Sequence, residues 1–583
     1  MIPFTPSRRA FLAALAFAAI CRGSSDAQEA RRGFYTPPAA GTFHPVFAEF
    51  GMVVAQEKLA AQIGADVLRQ GGNAVDAAVA TGFALAVTYP RAGNIGGGGF
   101  MIIHSADRKQ DIAIDYRETA PAATTRDIFL GADGKPDIAK SRDSALGIGV
   151  PGTVAGLALA LEQYGSGTLT LADLLKPAID LARAGTLVSD DSADTLPDWN
   201  KRLAKWPSST KIFSRADGAS PREGDTLIQT DLAATLSAIS EQGPRGFYQG
   251  PVAEKLVNAI REAGGIMTTD DLKSYQPVIR APVRGSYRGY DIISMPQPSS
   301  GGVVLLETLN ILEGFPMHDM AQGTAPSLHV MIEAMKRAYA DRARYLGDPA
   351  FVNAPITTLI AKDYATKQRA SIDLNRATPW TDALSALPPR EGSNTTHFSV
   401  IDSRGNAVSN TYTLNFSYGL GLVAEGTGVL LNNELDDFTA APGASNAYGL
   451  IGFEANLPGP GKRPLSSMAP TIVLKDGKPV LVTGSPGGSR IISTVLQVIV
   501  NVLDYQMDVA AAVAAPRLHH QWLPDEVRVE RGFADETLAA LKAMGHVIVV
   551  PLGQTSANTI AVTPNGLLGA PDPRTRGAEA AGQ

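Results

Sequence analysis

The sequence predicts a layered α/β fold built from antiparallel hairpins and packed helices, and three observations support this fold class. The chain has 583 residues, of which 44% are hydrophobic, so it is long enough to bury a large core. Two pairs of strand-like segments, 396–402 with 406–415 and 470–474 with 479–483, are each joined by a short turn. Helical segments occur without the regular strand–helix alternation of a parallel sheet.

The N-terminal part predicts a strand followed by two helices. Residues 51–56 form an apolar, strand-like run, and a helix is expected over 57–70, where Gly71 and Gly72 end it. Asn73 suits the N-cap of a second helix over 74–87, whose alanine-rich composition favours burial.

A run of four glycines, Gly96–Gly99, then enters a predicted strand over 101–104. Such a run allows close backbone approach, but it is not a phosphate loop, because no Gly-Lys-Ser/Thr follows and a strand comes next. A further strand over 112–116 leads to Arg117 and Glu118.

Residues 150–390 are predicted to be mostly helical, and 371–394 to form a mobile linker. The clearest helix, 327–345, has an apolar stripe, with its charged residues expected off that stripe. The stripe consists of Leu328, Met331, Met335, Ala338 and Tyr345, and the charged residues are Glu333, Lys336 and Arg337. Beyond the linker, helices are predicted over 491–502 and 535–544, and strands over 547–550 and 559–562 close the chain.

The N-terminus has the pattern of an export signal. Arg8 and Arg9 form a twin-arginine pair before the apolar run 11–20, which is too short to span a bilayer. Cleavage after Ala27 would remove residues 1–27 and release the protein, and the expected destination of this export route is a periplasm. The net charge of −6 without a basic block argues against nucleic acid or a membrane surface as a partner.

The cysteine and histidine content argues against thiol and metal chemistry. Cys21 is the only cysteine, and it lies inside the predicted signal. The eight histidines show no metal-ligand spacing, so we interpret them as structural or surface residues and predict no metal site.

The segment 394–400 is the strongest functional signal. Thr395 begins a strand-like alternation directly after the linker, which is compatible with an ordinary edge strand. It is also compatible with a threonine nucleophile whose own amine, freed by cleavage of the Asn394–Thr395 bond, acts as the base.

The turn of the hairpin predicts which residue faces this threonine. If Ser403, Arg404 and Gly405 form the turn, with Gly405 at a positive φ, the register is symmetric about Arg404. Thr395 then lies opposite Thr413, and directly opposed residues are about 4.5–5.5 Å apart. Thr413 would therefore orient the hydroxyl of Thr395.

Eight sequence blocks, in order, resemble those of the γ-glutamyltranspeptidases. They are Gly72–Ala78, Gly93–Phe100, Asp115–Glu118, Thr395–Val400, Gly405–Asn415, Asn432–Phe438, Arg463–Met468 and Gly484–Arg490. The resemblance covers about residues 45–575 and implies a four-layer αββα sandwich of the N-terminal-nucleophile hydrolase type. It also implies self-cleavage into a large subunit (28–394) and a small subunit (395–583), which stay together as a heterodimer. No cofactor is implied.

The resemblance further implies roles for individual residues. Thr395 and Thr413 would be catalytic, and Gly487 and Gly488 would form an oxyanion hole for the ester intermediate. The substrate, glutathione or another γ-glutamyl amide, would be bound at its α-carboxylate by Arg117, Ser466 and Ser467, and at its α-ammonium by Asn415, Glu434 and Asp437. The segment around Tyr448 resembles the lid loop that covers the active site in many members of this family. Water, or an acceptor amino acid or peptide, would then resolve the γ-glutamyl ester.

One departure and two alternatives accompany this interpretation. Glu434 is an acid where some relatives have glutamine, which could change ammonium affinity. A glutaryl or cephalosporin acylase of the same superfamily is one alternative, although a glutaryl group offers no ammonium for Asp437 to bind. The other is an inactive periplasmic amino-acid-binding protein, against which the presence of both threonines argues.

Overall fold

The computed structural model describes residues 43–380, 395–550 and 555–583. The predicted signal (1–27), most of the predicted linker and Asn394 lie outside these described residues.

Most of the strands belong to two large sheets. Their bounds are β1 Val46–Ala48, β2 Met52–Ala55, β3 Gly98–Ser105, β4 Gln110–Tyr116, β5 Thr186–Leu187, β6 Thr226–Leu227, β7 Val278–Arg280, β8 Val283–Tyr287, β9 Tyr290–Ser294, β10 Thr395–Ile401, β11 Ala407–Thr413, β12 Val423–Ala424, β13 Val429–Leu430, β14 Thr471–Lys475, β15 Lys478–Thr483, β16 Leu518–His519, β17 Val527–Val529, β18 Ile548–Val549, β19 Thr559–Thr563, β20 Gly566–Ala570 and β21 Glu579–Gly582.

Helices flank these strands along the chain. Their bounds are α1 Lys58–Arg69, α2 Ala74–Thr88, α3 Ile138–Arg142, α4 Thr153–Tyr164, α5 Leu171–Ala184, α6 Asp190–Leu203, α7 Pro207–Phe213, α8 Thr230–Gln242, α9 Arg245–Tyr248, α10 Gly250–Glu262, α11 Thr269–Ser274, α12 Gly301–Leu312, α13 Met317–Met320, α14 Ala325–Tyr345, α15 Ile356–Leu359, α16 Lys362–Ala370, α17 Arg490–Leu503, α18 Val509–Ala514 and α19 Asp535–Ala543. Short 3₁₀ turns cover Ala145–Gly147, Glu434–Asp437 and Glu454–Asn456.

The two seven-stranded sheets pack face to face, with helices on their outer faces. One sheet has the strand order β21-β2-β10-β11-β3-β4-β7, and the other β1-β20-β19-β15-β14-β9-β8. Strands β10 and β11 contact β19 and β15 across the interface, while α2 covers the first sheet and α12 the second. This confirms the predicted four-layer αββα sandwich.

The first helices form where the sequence predicts them. Glu57 caps α1, and the Asn73 side chain accepts hydrogen bonds from the first turn of α2 in a capping box with Asp76. Helix α2 is buried over nearly its whole length, because its alanines let it pack closely on both sides.

The central hairpin has the predicted register. Thr395 lies opposite Thr413, and the pairing continues in step to Ile401 opposite Ala407. Gly405 has a φ of +83° in the turn, a conformation that glycine adopts without steric cost. Both strands are central in their sheet and buried along their whole length.

Three predictions about the fold need correction. The mostly helical region 150–390 also contributes β7, β8 and β9 to the sheets, and the chain does not close at β19, because β20 and β21 follow. Helix α14 is not amphipathic: Glu333 and Lys336 are fully buried, while Tyr345 of the predicted apolar stripe is 41% exposed. The buried charges are tolerated because they pair, as when the Arg337 guanidinium donates to Glu333 at 2.7 Å.

Within the described ranges, no helix is long and apolar enough to cross a membrane. Six of the eight histidines are buried, as a structural role requires, whereas His44 and His318 are exposed. The rings of His329 and His546 are in hydrogen-bond contact at 2.8 Å.

Candidate active site

Thr395 is held at the edge of the sheet interface by the hairpin. Its hydroxyl donates to the Thr413 hydroxyl at 3.2 Å, and the Asn415 backbone N–H donates to the same Thr413 oxygen at 2.9 Å. Both threonines are almost fully buried. Thr413 therefore fixes the direction of the Thr395 hydroxyl, as the register predicts.

The glycine run lies directly behind this pair. A side chain at Gly97 would place its Cβ 2.0 Å from the Thr413 carbonyl oxygen, so only glycine fits. The Asn94 side-chain amide donates to that carbonyl at 3.0 Å and accepts from the Gly97 N–H at 2.9 Å. The run thus supports the end of β11 through close backbone contact.

A polar ladder continues from the nucleophile along the inner face of β10. His397 is hydrogen-bonded to Thr411 at 2.8 Å and to Ser399 at 3.0 Å, and Ser399 donates to the Asn558 carbonyl at 2.8 Å. Burial lowers the pKa of His397 to about 3, so the ring is neutral. The ladder joins the nucleophile's strand to the opposite sheet. Only the alternation of Thr395, His397 and Ser399 in the sequence indicated it.

Carboxylates surround the guanidinium of Arg117 at one end of the site, which we call the acid end (Arg117, Glu118, Glu434 and Asp437). The 3₁₀ turn Glu434–Asp437 places its first and last residues on the same face, because positions three apart align in such a turn. Arg117 donates to Glu434 through one nitrogen and to Asp437 at 2.6 Å through another.

The charges of the acid end do not balance, and burial raises the pKa of its acids. Burial, only partly opposed by Arg117, raises the pKa of Glu118 to about 7 and that of Glu434 well above its usual range. The Oε2 atom of Glu434 is buried and accepts no hydrogen bond within the described part of the chain. This end therefore has acceptor capacity left for a cation. Sequence reasoning noted Glu118 but gave it no role.

Two neutral serines, with a second arginine behind them, form another part of the site, which we call the serine end (Ser466, Ser467 and Arg342). The Ser466 hydroxyl accepts from the Met468 N–H at 3.1 Å, and the Ser467 hydroxyl accepts from Arg342 at 3.3 Å. Arg117 reaches the same loop, because its Nε donates to the Pro464 carbonyl at 3.1 Å. Arg342 lies far away in sequence, on α14, and sequence reasoning missed it.

Gly487 and Gly488 lie between the sheet interface and the start of α17. Both have positive φ, +130° and +58°, and a Cβ on Gly488 would lie 2.4 Å from the Tyr448 ring. Among the described residues, neither N–H group donates a hydrogen bond. The loop opens a helix of fourteen residues, whose N-terminus favours negative charge.

Tyr448 covers the site from the predicted lid loop. Its hydroxyl donates to the Asn415 carbonyl at 2.8 Å, and Gln521 donates to the Tyr448 carbonyl at 3.0 Å. The Asn446 side chain connects the loop to Asp437 at 2.9 Å. The loop is therefore closed over the nucleophile and joined to the acid end.

One cavity, with about 290 Å³ of empty space, unites these parts. Of the predicted site residues, Gly487 adjoins the cavity without lining it, and Asn394 lies outside the described residues. The others line it together: Arg117, Thr395, Thr413, Asn415, Glu434, Asp437, Tyr448, Ser466, Ser467 and Gly488. In the described residues, no cluster of three histidine or acidic side chains could hold a metal ion.

Comparison with known proteins agrees with this architecture. The family model described as Gamma-glutamyltranspeptidase matches residues 60–582. The chain is 50% identical over 575 residues to a glutathione hydrolase proenzyme of Escherichia coli (strain K12), covering 97% of this chain and 98% of that protein.

Two solved structures share the fold. A cephalosporin acylase from Bacillus halodurans is 30% identical with a TM-score of 0.80, over 94% of this chain and 98% of that one. A Helicobacter pylori gamma-glutamyltranspeptidase is 46% identical with a TM-score of 0.54, over 55% of this chain and 91% of that one. The fold is thus that of the N-terminal-nucleophile hydrolases, and the chain belongs to the γ-glutamyltranspeptidase family of enzymes.

Proposed function

We propose that this enzyme cleaves itself at Asn394–Thr395 and then hydrolyses or transfers the γ-glutamyl group of glutathione and related amides. The observation that carries the proposal is the placement of Thr395. Its hydroxyl, oriented by Thr413 at 3.2 Å, lies in a cavity that is also lined by the carboxylates of the acid end and by the Ser466 and Ser467 hydroxyls.

In maturation, the Thr395 hydroxyl attacks the Asn394 carbonyl carbon. The peptide C–N bond breaks as the ester forms, and the nitrogen becomes the free α-amine of Thr395. Water then hydrolyses the ester, leaving Asn394 as the C-terminus of the large subunit (28–394) and Thr395 as the first residue of the small one (395–583). An α-amine has a pKa of about 7.7–8.0, which suits a general base near neutral pH.

In turnover, that amine takes the proton of the Thr395 hydroxyl as the oxygen attacks the γ-amide carbon. The N–H groups of Gly487 and Gly488 are available to stabilise the oxyanion, and one such donor typically contributes about 3 kcal/mol. The leaving amine takes the proton and departs, for example as cysteinylglycine. Water or an acceptor amine then attacks the γ-glutamyl ester and regenerates Thr395.

The acid end and the serine end together can recognise the α-ammonium and the α-carboxylate of a γ-glutamyl substrate. Asn415, Glu434 and Asp437 supply acceptors and negative charge for the ammonium. Ser466 and Ser467 present hydroxyls to the carboxylate, and Arg117 contacts both ends. The glutathione hydrolase relatives support glutathione as the donor, because they match nearly the whole chain.

An acylase acting on glutaryl groups is the competing function, supported by the shared fold of the Bacillus halodurans enzyme. A glutaryl group has a carboxylate but no ammonium. With such a substrate, the buried Oε2 of Glu434 would find no donor among the described residues, because Arg117 already pairs with its other oxygen and with Asp437.

The test compares turnover of γ-glutamyl p-nitroanilide with that of glutaryl p-nitroanilide. We expect kcat/KM at least about 100-fold higher for the γ-glutamyl compound, since an unpaired buried charge costs several kcal/mol. Equal rates, or a preference for glutaryl, would favour the acylase. Glutamate binding without turnover of either compound would favour the inactive binding protein.

We also propose that residues 1–27 direct export by the twin-arginine route to the periplasm. Lysine at both Arg8 and Arg9 should retain the enzyme inside the cell, as measured by fractionation.

A further inference from the structure

Arg342 is a buried arginine that touches the site from behind. It lies in the last turns of α14 and is 4% exposed. Its Nε donates to the Ser300 hydroxyl at 2.9 Å, and its Nη2 donates to the Ser467 hydroxyl at 3.3 Å. It does not line the cavity, so any effect on a substrate passes through these serines.

The two arginines of the site differ in their counter-ions. Arg117 is paired with Glu434 and Asp437 and lies 3.8 Å from Glu118. Arg342 has no ion pair within 4.0 Å in the described ranges. Burial lowers the pKa of Arg342 to about 10, with partial compensation from Tyr339 and Asp437, so the side chain stays protonated at neutral pH.

A buried cation without a carboxylate partner is costly unless something compensates its charge. The hydrogen bonds of Arg342 connect its charge to the serines that line the cavity. The Ser300 hydroxyl accepts a hydrogen bond from Arg342 and donates one to the Ser466 carbonyl at 2.7 Å. Arg342 therefore contacts the serine loop at Ser467 directly and at Ser466 through Ser300.

The direction of these hydrogen bonds leaves protons for a ligand. The Ser467 hydroxyl accepts from Arg342 and the Ser466 hydroxyl from Met468, and among the described residues neither hydroxyl donates. Each hydroxyl can thus donate to an anion in the cavity. A hydroxyl that accepts from a cation is also a stronger donor, because hydrogen bonds in a chain polarise one another.

We propose that Arg342 is a specificity-determining positioning residue, which through Ser467 adds positive charge behind the site of the substrate's α-carboxylate. This proposal rests on the proposed γ-glutamyl function. It adds the charge of Arg342 to that of Arg117 in recognising the carboxylate, because the charge of Arg117 is already shared by two acids.

The test uses substrates that differ only in the carboxylate. Arg342→Gln is assayed with γ-glutamyl p-nitroanilide and with 4-aminobutyryl p-nitroanilide, which keeps the ammonium but lacks the carboxylate. We expect kcat/KM for the first to fall about 10- to 100-fold, mainly through KM, with less than about a threefold change for the second. A parallel fall for both substrates would overturn the proposal, because a structural role affects both alike.

Further variants separate the proposal from misfolding. Arg342→Lys keeps the charge without the two-pronged donor and should lose less discrimination between the substrates than Arg342→Gln. Since Arg342 acts through Ser467, its effect should largely vanish in a Ser467→Ala background. Arg337→Gln, on the same helix but paired with Glu333 away from the cavity, is the matched control and should leave the substrate ratio unchanged.

Binding gives a readout that needs no turnover. Calorimetry of wild type should show tighter binding of L-glutamate than of 4-aminobutyrate, and Arg342→Gln should remove most of that difference. If wild type turns over neither anilide but keeps this binding preference, the proposed function fails while Arg342's role stands. If wild type lacks the preference, the inference about Arg342 is wrong.

Discussion

The acid end and the serine end of the cavity differ in the charge of the groups that they present to a ligand. At the acid end, three carboxylates surround Arg117, and the buried Glu434 keeps an oxygen without a hydrogen-bond donor in the described part of the chain. At the serine end, neutral hydroxyls face the cavity and one arginine lies behind them without an ion pair among the described residues. One end is rich in carboxyl acceptors, and the other has hydroxyl donors with a buried arginine behind them.

This difference gives the cavity a polarity, with the nucleophile beside it. A zwitterionic amino acid head can satisfy both ends at once, whereas a simple carboxylate or amine satisfies only one. We infer that the polarity, more than the shape of a small cavity, selects the substrate.

The largest change should come from removing a charge at the acid end. We expect Asp437→Asn to lower kcat/KM for γ-glutamyl p-nitroanilide by about 10²–10³, because the ammonium loses a charged acceptor. The rate with glutaryl p-nitroanilide, which has no ammonium, should change far less. Asp436→Asn is the matched control: it is the adjacent buried acid, but it faces Ser141 and Arg142 outside the cavity. Equal losses in both variants would refute the assignment.

A smaller change is expected at the serine end. Ser466→Ala should lower kcat/KM for the γ-glutamyl anilide by about tenfold, since one hydrogen bond to a charged group is lost. Steady-state kinetics should place the loss in KM. If 4-aminobutyryl p-nitroanilide suffered the same loss, Ser466 would not be a carboxylate ligand.

The protonation of Glu434 should make the KM for the γ-glutamyl anilide depend on pH. Because burial raises its pKa, the carboxyl is increasingly neutral as pH falls, and its attraction for an ammonium grows as pH rises. We therefore expect wild-type KM to decrease as pH rises above the ordinary range of a glutamate, and Glu434→Gln to flatten that decrease. A steeper profile in Glu434→Gln would contradict this.

Glu118 should affect stability more than turnover. Its pKa rises from 4.5 to about 7 on folding, so its contribution to stability is present below 4.5 and is lost as pH rises through 7. Glu118→Gln should gain on the order of 3 kcal/mol over wild type above that range. Thermal unfolding at about pH 5 and pH 8 measures this, with the exposed Glu162→Gln as control. If the stability difference between Glu118→Gln and wild type were the same at both pH values, folding would not raise the pKa of Glu118.

The hairpin shows how much of the site the sequence could predict. Alternating residues on both sides of one glycine turn permit few registers, so the pairing of Thr395 with Thr413 followed from local information. The residues at both ends of the cavity were found through ordered motifs, since no local pattern joins Arg117 to a turn more than three hundred positions later.

Long-range packing explains what the sequence did not predict. The buried charges of α14 were placed off the buried stripe, because the segments that cover them are distant in sequence: Lys336 pairs with Asp525, and Arg337 donates to Ser371. Arg342 was missed for the same reason: its contact with Ser467 depends on how α14 packs against a loop more than a hundred residues away. Strands β20 and β21 were missed because their glycine- and alanine-rich sequences carry little strand signal.

The central claim is that Thr395 becomes the N-terminal residue of an active chain, and intact mass spectrometry tests it most directly. Purified wild type should give two fragments that divide between Asn394 and Thr395, while Thr395→Ala should remain one uncut chain. An uncut wild type after long incubation across a range of pH, or a Thr395→Ala variant that still divides at that bond, would contradict the account.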